Sequence, residues 1–186
     1  MRTGAKIALA VVLLGLLALF WRGLQLDPRH IPGVLEGRTA SPFAGTDLID
    51  GRPVSLAQHK GKVVLLNFWA SWCVECVREH ANLLALQRRF GAHSDFVMLG
   101  VAYQDKAGDA RAFLARMGAA YPNIRDGQGG IGIDYGVYGV PETFLIDRDG
   151  TIRCKHSGPL LDAAYDKVAT RWLPALLAGR GLESCE

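Results

Sequence analysis

Acidic side chains are missing ahead of Asp27, where Arg2, Lys6 and Arg22 are the only charges. From Asp27 onward the chain carries 18 basic and 18 acidic side chains, so the formal net charge of +3 belongs entirely to the N-terminal segment. A nucleic-acid binder needs a basic face on its folded domain, and this chain lacks the excess to build one. Glycine is plentiful at 22, yet it follows no triplet or repeat period, which excludes collagen-like and solenoid architectures. The glycine-rich Asp126-Gly127-Gln128-Gly129-Gly130 lacks the strand–GxGxxG–helix and GxxxxGK[ST] contexts that cradle phosphate. Disorder is excluded too: 49% of residues are apolar and 21% charged, enough to bury a full core. At 186 residues, the chain has room for one folded domain and a short extra segment.

That segment is Ile7 to Trp21, an uninterrupted apolar run preceded by positive charge. As a helix the run alone rises roughly 22 Å, short of the ~30 Å hydrocarbon core of a bilayer. Extension from Gly4 to Leu26 supplies the length if Lys6 and Arg22 snorkel to the interfaces. A secretory signal has the same profile, but its cleavage site needs small residues. Phe20-Trp21-Arg22-Gly23-Leu24-Gln25-Leu26 offers bulky ones instead, and Trp21 suits an interfacial anchor. Residues 1–26 are therefore read as an uncleaved signal anchor in preference to a removed signal. Either way the basic N-terminus stays inside and the remainder lies outside the cytoplasm. Residues 27–40, with two prolines and two glycines, read as a tether, and residues 41–186 as the folded domain.

Within the domain, Val63–Trp69 and Phe96–Ala102 are continuous apolar runs of the kind buried on both faces of a sheet. Between them, Cys73–Phe90 has a helical pattern. Val77, Ala81 and Leu84 share one stripe, with Leu83, Leu86 and Phe90 beside it, and Gly91 is the stop. Asp109–Met117 is a second helix. Thr143–Asp147 and Thr151–His156 flank Asp149-Gly150 as a hairpin, as do Phe43–Leu48 and Pro53–Leu56 around Asp50-Gly51. Leu160 to about Leu177 is a last helix, bent or restarted near Pro174. The order hairpin, strand, helix, strand, helix, hairpin, helix predicts an α/β fold, a mixed sheet with flanking helices.

Chemistry concentrates at Trp72-Cys73-Val74-Glu75-Cys76, where a buried strand gives way to a helix. One helical turn brings side chains three apart together, so a small disulfide ring can close. Cys73 at the helix N-terminus gains thiolate stabilisation from free N–H groups and the dipole. It can attack an external disulfide, and Cys76 can resolve the mixed disulfide. Tetrahedral zinc would need a second Cys/His pair, and none with suitable spacing exists, so no metal is expected. His80 reads as a helix-surface residue. Cys154 and Cys185 fit either a structural disulfide or separate thiols.

Asn67-Phe68-Trp69-Ala70-Ser71-Trp72-Cys73-Val74-Glu75-Cys76 resembles the active-site strand and loop of the thioredoxin superfamily. With Glu79-His80, the N-terminal anchor and Gly136-Val137-Tyr138-Gly139-Val140-Pro141-Glu142-Thr143-Phe144-Leu145-Ile146-Asp147, it is similar to the DsbE/CcmG group. These are membrane-anchored thiol–disulfide oxidoreductases of cytochrome c maturation. The resemblance implies a thioredoxin-like fold over roughly residues 40–180 and a bacterial inner-membrane protein with its domain in the periplasm. It implies catalysis by Cys73 and Cys76 without a bound cofactor, on apocytochrome c or a thiol protein of the maturation complex. A membrane electron donor of the DsbD or CcdA type would re-reduce the pair. Pro141 matches the family's cis-proline facing the disulfide, Val140 would offer backbone groups to substrate, and Glu142 matches the acidic residue that follows. Trp72 would help shape the contact surface.

Two positions depart from the wider superfamily. Asn67 stands where many thioredoxins carry a buried aspartate, and an asparagine cannot titrate. Glu75 replaces the proline often found before the second cysteine. A carboxylate there should raise the Cys73 pKa and make the pair more reducing, unless it is a solvated first-turn residue. The alternatives are a general periplasmic reductant with another substrate and a Sco-type copper-delivery protein, for which His156 is the only histidine downstream of Pro141.

Overall fold

The computed structural model describes residues 2–24, 35–182 and 185. The chain divides into two units, residues 1–32 and 33–186. In the first, the apolar run forms one helix, α1 (Arg2–Leu24), of 23 residues. At 1.5 Å per residue it is about 34 Å long, enough to span the hydrocarbon of a bilayer. Its large apolar side chains, from Ile7 to Leu24, are all exposed within this unit. Residues 25–34, which hold the end of the expected span and most of the tether, lie outside the described residues.

The described part of the second unit begins with residues 35–40, which the sequence pattern assigns to the tether. They are instead stitched to a later hairpin, with Gly37 N–H donating to Ile152 O at 2.8 Å and Ala40 N–H to Gly150 O at 2.8 Å. Strands β1 (Ala44–Thr46) and β2 (Pro53–Ser55) pair antiparallel, as the Asp-Gly signal predicts. A 3-10 turn, Leu56–His59, leads to β3 (Val63–Trp69). Then follow α2 (Val74–Phe90), β4 (Phe96–Tyr103), α3 (Ala107–Met117) and β5 (Asn123–Asp126). The chain continues through α4 (Gly130–Asp134), β6 (Glu142–Ile146) and β7 (Ile152–Ser157). It ends with α5 (Asp162–Lys167), a π turn at Val168–Trp172, and α6 (Leu173–Leu177).

The sheet order is β5-β4-β3-β6-β7, with β3, β4 and β5 parallel and β6 and β7 antiparallel. Every residue of β3 is buried, as its unbroken apolar run requires for a central strand covered on both faces. Its side chains alternate between two cores. Val63 and Leu65 point with Phe96 and Met98 toward Leu83 and Leu86 of α2 and toward Trp172, Leu173 and Leu176. Val64, Leu66 and Phe68 face Phe43, Val54, Tyr135 and Val137. One face of the sheet is thus covered by helices, the other largely by the N-terminal hairpin and the α4 region.

The fold is the thioredoxin-like mixed sheet with flanking helices that the resemblance implies, with two elements beyond the sequence pattern. β5 carries no strand signal of its own, and α4 lies in the stretch that reads as glycine-rich loop. The helix expected over Leu160–Leu177 starts at Asp162 and is interrupted by the π turn just before Pro174. In α2 the buried face is Cys76, Glu79, His80, Leu83 and Leu86. This corrects the expected stripe, since Val77 and Ala81 face solvent, and it corrects His80, which is buried and hydrogen-bonded to Gly118 O at 2.9 Å. Cys154 and Cys185 form a disulfide, their Cα atoms 5.5 Å apart.

Candidate active site

The parallel strands β3 and β4 end side by side, with Trp69 opposite Ala102, so the loops that leave them meet at one edge of the sheet. Asp105, just after β4, grips the loop leaving β3. It accepts from Ser71 N–H at 2.6 Å and from the Ser71 hydroxyl at 3.0 Å. Asp105 is absent from the sequence-predicted site. Nothing in its local pattern signals that it fixes a loop on the far side of α2 and β4 in the chain.

Cys73 is the N-cap of α2, with extended backbone. Its sulfur accepts the Cys76 backbone N–H at 3.0 Å, one of the helix N-terminal donors that otherwise lacks a partner. Cys73 and Cys76 are joined as a disulfide, with Cα atoms 5.2 Å apart. Cys73 is 6% exposed and Cys76 2%, so Cys73 is the more accessible of the two. The same N-terminal donors and the helix dipole favour negative charge on Cys73 once the bond is reduced.

Across from the sulfurs stands the segment before β6. Phe68 pairs with Glu142, which carries the two preceding residues past the end of β3 and over the cysteine loop. The Val140–Pro141 peptide bond is cis. Val140 O lies 3.5 Å from Cys73 Sγ, while Pro141 O is turned away and accepts Gly158 N–H at 2.9 Å. Around the sulfurs the surface is apolar and open: Trp72 is 60% exposed, and Val74 and Tyr138 are also exposed.

A polar cluster lies under the site. Asn67 projects from β3 and donates through Nδ2 to Glu79 Oε1 at 3.0 Å and to Thr143 Oγ1 at 3.1 Å. Glu79 Oε2 accepts Leu160 N–H at 2.7 Å. The carboxyl is fully buried, and desolvation raises its pKa from 4.5 to about 7 against the opposing pull of Leu160 N–H and Asn67. Glu79 is one helical turn beyond Cys76, on the same face of α2. The titratable group that Asn67 cannot supply is thus present on its hydrogen-bonded neighbour. The available signal is Cys76 itself, since a cysteine facing the core sets the phase that buries positions 79 and 80.

Glu142, expected as part of an acidic surface, is instead buried. Its carboxylate meets the Lys155 ammonium at 3.0 Å. Burial raises its pKa, and Lys155 pulls it back. Glu75 also departs from expectation. It is turned to Arg78, whose Nη1 donates to both carboxylate oxygens at 3.1 and 2.9 Å on the exposed side of α2. A carboxylate already matched to a guanidinium adds little negative potential at Cys73, and the solvated first-turn alternative fits better. Among the described residues, the one grouping of three potential metal donors is Glu36, Cys154 and Cys185, which includes neither Cys73 nor Cys76. His156 stands on β7 opposite Thr143.

The Redoxin family model matches residues 36–169. The thiol:disulfide interchange protein DsbE of Allochromatium vinosum is 42% identical over 164 residues, covering 86% of this chain and 88% of that protein. HelX, a thiol:disulfide interchange protein of Rhodobacter capsulatus, is 36% identical over 167 residues, 83% of this chain and 84% of its own. A crystal structure from Chlorobium tepidum, described as a thiol:disulfide interchange protein DsbE, superposes with a TM-score of 0.68 at 33% identity. It covers 76% of this chain and 97% of that one.

Proposed function

We propose, from the premise that the chain belongs to the Redoxin family and is a thiol–disulfide oxidoreductase of the DsbE type, that it works as a membrane-tethered reductant in cytochrome c maturation. The observation that carries this reading is the Cys73–Cys76 pair at the N-terminus of α2 with the Val140–cis-Pro141 segment across it. The substrate is the oxidised cysteine pair of an apocytochrome haem-binding segment or of a thiol protein that handles it. The second disulfide, Cys154–Cys185, supports placement of the domain in an oxidising compartment, and the apolar α1 supports an anchor in the inner membrane.

In the forward step the Cys73 thiolate attacks one sulfur of the substrate disulfide. That bond breaks, and its other sulfur leaves as a thiolate that takes up a proton. Cys76 then loses its proton and attacks Cys73 Sγ, closing the Cys73–Cys76 bond and releasing the second substrate thiol. Two electrons pass from enzyme to substrate. Glu79, titrating near neutrality one turn from Cys76, is suited to accept the Cys76 proton. When ionised it also disfavours a second negative charge on the reduced pair, which makes the disulfide the preferred state and the dithiol a reductant. Trp72, Val140 and Pro141 frame the contact with substrate, and the buried Glu142 anchors the end of that segment to Lys155. A membrane electron donor of the DsbD or CcdA type returns the pair to the dithiol.

Trapping tests the reading. The variant Cys76→Ala can form the mixed disulfide but cannot resolve it. Expressed in a host that makes c-type cytochromes, it should accumulate adducts that vanish in the Cys73→Ser/Cys76→Ala double variant. Mass spectrometry of the captured chain should show an apocytochrome haem-binding segment or a thiol protein of its assembly. Capture of unrelated disulfide proteins alone, with normal holocytochrome levels in a Cys73→Ser strain, would favour a general reductant.

A further inference from the structure

The segment that leads past the disulfide, Gly136–Glu142, is anchored at Val137 by the core and at Pro141 by Gly158 N–H, and one side chain from β7 ties down the stretch between them. Lys155 on β7 has a side chain only 9% exposed, and its ammonium has four partners. It donates to Gly136 O at 2.7 Å and meets the Glu142 carboxylate at 3.0 Å. It also stands 4.8 Å from the centroid of the Tyr138 ring and 5.5 Å from that of Phe144. All four partners lie within residues 136–144. A strongly hydrated ammonium withdrawn from water must be compensated by fixed partners, and here each of them belongs to the substrate-facing segment or its first strand residues.

The segment needs such a hold. It contains two glycines, Gly136 with φ of 55° and Gly139, and Tyr138 between them is 56% exposed. With Val137 and Pro141 buried, the freedom left to the stretch around Tyr138 and Gly139 would be lost on seating a substrate, and fixing it beforehand removes that cost from binding. With the ammonium against one side of its ring, Tyr138 is presented to solvent as a flat surface two residues from Val140.

We propose that Lys155 is a positioning residue that sets how an extended disulfide substrate seats on Val140–Pro141, by tying down Gly136–Glu142 from β7 and backing the Tyr138 ring as its platform. This rests on the reading of Cys73–Cys76 as the exchange site. It assigns Lys155 to substrate seating and leaves the reactivity of the sulfurs to the N-terminus of α2 and Glu79.

Pre-reduced full-length protein in detergent micelles is mixed with two disulfides: an oxidised Cys-x-x-Cys peptide long enough to lie along the segment, and 5,5′-dithiobis(2-nitrobenzoate), too small to need it. Lys155→Met should raise the half-saturating peptide concentration about tenfold, with the limiting rate and the small-disulfide rate within about twofold of the unaltered chain. Lys155→Arg, which keeps the charge and the donors, should recover most of that loss. Tyr138→Ala removes an exposed side chain that the fold does not need. It should raise half-saturation in the same direction and keeps the test open if Lys155→Met does not fold. Unchanged half-saturation in Tyr138→Ala or in a folded Lys155→Met overturns the proposal. So does an equal slowing of both disulfides, because Lys155 would then act on the cysteines. An unaltered chain that reduces neither disulfide overturns the exchange-site reading itself, before any variant is compared.

Discussion

Glu79 is buried, and desolvation pushes its folded pKa up to about 7 against 4.5 for a free side chain. A group whose folded pKa is raised stabilises the fold fully below its unfolded pKa, and that contribution is lost as pH rises through the folded value. The window here is pH 4.5 to about 7, and a shift of that size corresponds to about 3 kcal/mol. Urea unfolding of the oxidised chain should therefore show a stability decline between pH 5 and pH 8.5 that Glu79→Gln lacks, since the amide cannot ionise. The difference between the two slopes isolates Glu79 from other titrating groups, and parallel slopes would place its carboxyl in the ordinary range. The same residue marks a limit of sequence reading. Asn67 announces that a proton-handling acid is missing from β3. Its replacement stays hidden because counting apolar residues in α2 favours the face of Val77, Ala81 and Leu84, while Cys76 and Glu79 show which face is buried.

Strands β3 and β4 are legible because an unbroken apolar run has one stable place, the middle of a covered sheet. β5 is not. Asn123-Ile124-Arg125-Asp126 contains one apolar side chain, and what makes it a strand comes from elsewhere. It pairs with β4, and Asp47 in the N-terminal hairpin region accepts Asn123 N–H at 2.7 Å. The join between β3, β4 and β5 depends on Gly100. The Trp69 indole donates to Asn123 Oδ1 at 2.9 Å, and a Cβ on Gly100 would collide with the Asn123 side chain and press on the Trp69 indole nitrogen. Neither can retreat, since Trp69 packs against Phe113 with ring centroids 4.8 Å apart and Asn123 Nδ2 is spent on Tyr121 O. Gly100→Ala should therefore destabilise the chain by about 1–3 kcal/mol, the usual range for overpacking. A shift in the urea midpoint measures it, and an unshifted midpoint would show that the strand ends have slack. The α4 helix escapes sequence reading for a related reason. Its glycines suppress helical propensity, and it is held from outside by Asp126, which accepts Gly132 N–H at 2.8 Å.

Over the whole chain, the features read most directly from sequence are the segregated ones: net charge confined to the segment ahead of Asp27, an apolar run that spans a bilayer once its basic flanks are included, and a body neutral overall. The pairing of Cys154 with Cys185 cannot be read, because the contact depends on where the C-terminal residues come to rest. Cys185 closes on β7 after the chain has passed through α5, the π turn and α6, a stretch whose Trp172, Leu173 and Leu176 cover one face of the sheet. The bond fixes Cys185 to β7 and joins residues 31 apart, a separation for which chain-entropy arguments give about 3–4 kcal/mol. Cys154 pairs with Leu145, toward the end of β6 remote from Glu142 and the Val140–Pro141 segment, so its loss leaves the redox pair's surroundings in place. The variant Cys154→Ala/Cys185→Ala should accordingly unfold at lower denaturant by about 2–4 kcal/mol under oxidising conditions. Its reduction of 5,5′-dithiobis(2-nitrobenzoate) below the transition should match the unaltered chain. A drop in that rate without a drop in stability would instead make the second pair a participant in the exchange, since a structural clasp can only act through the fold it closes.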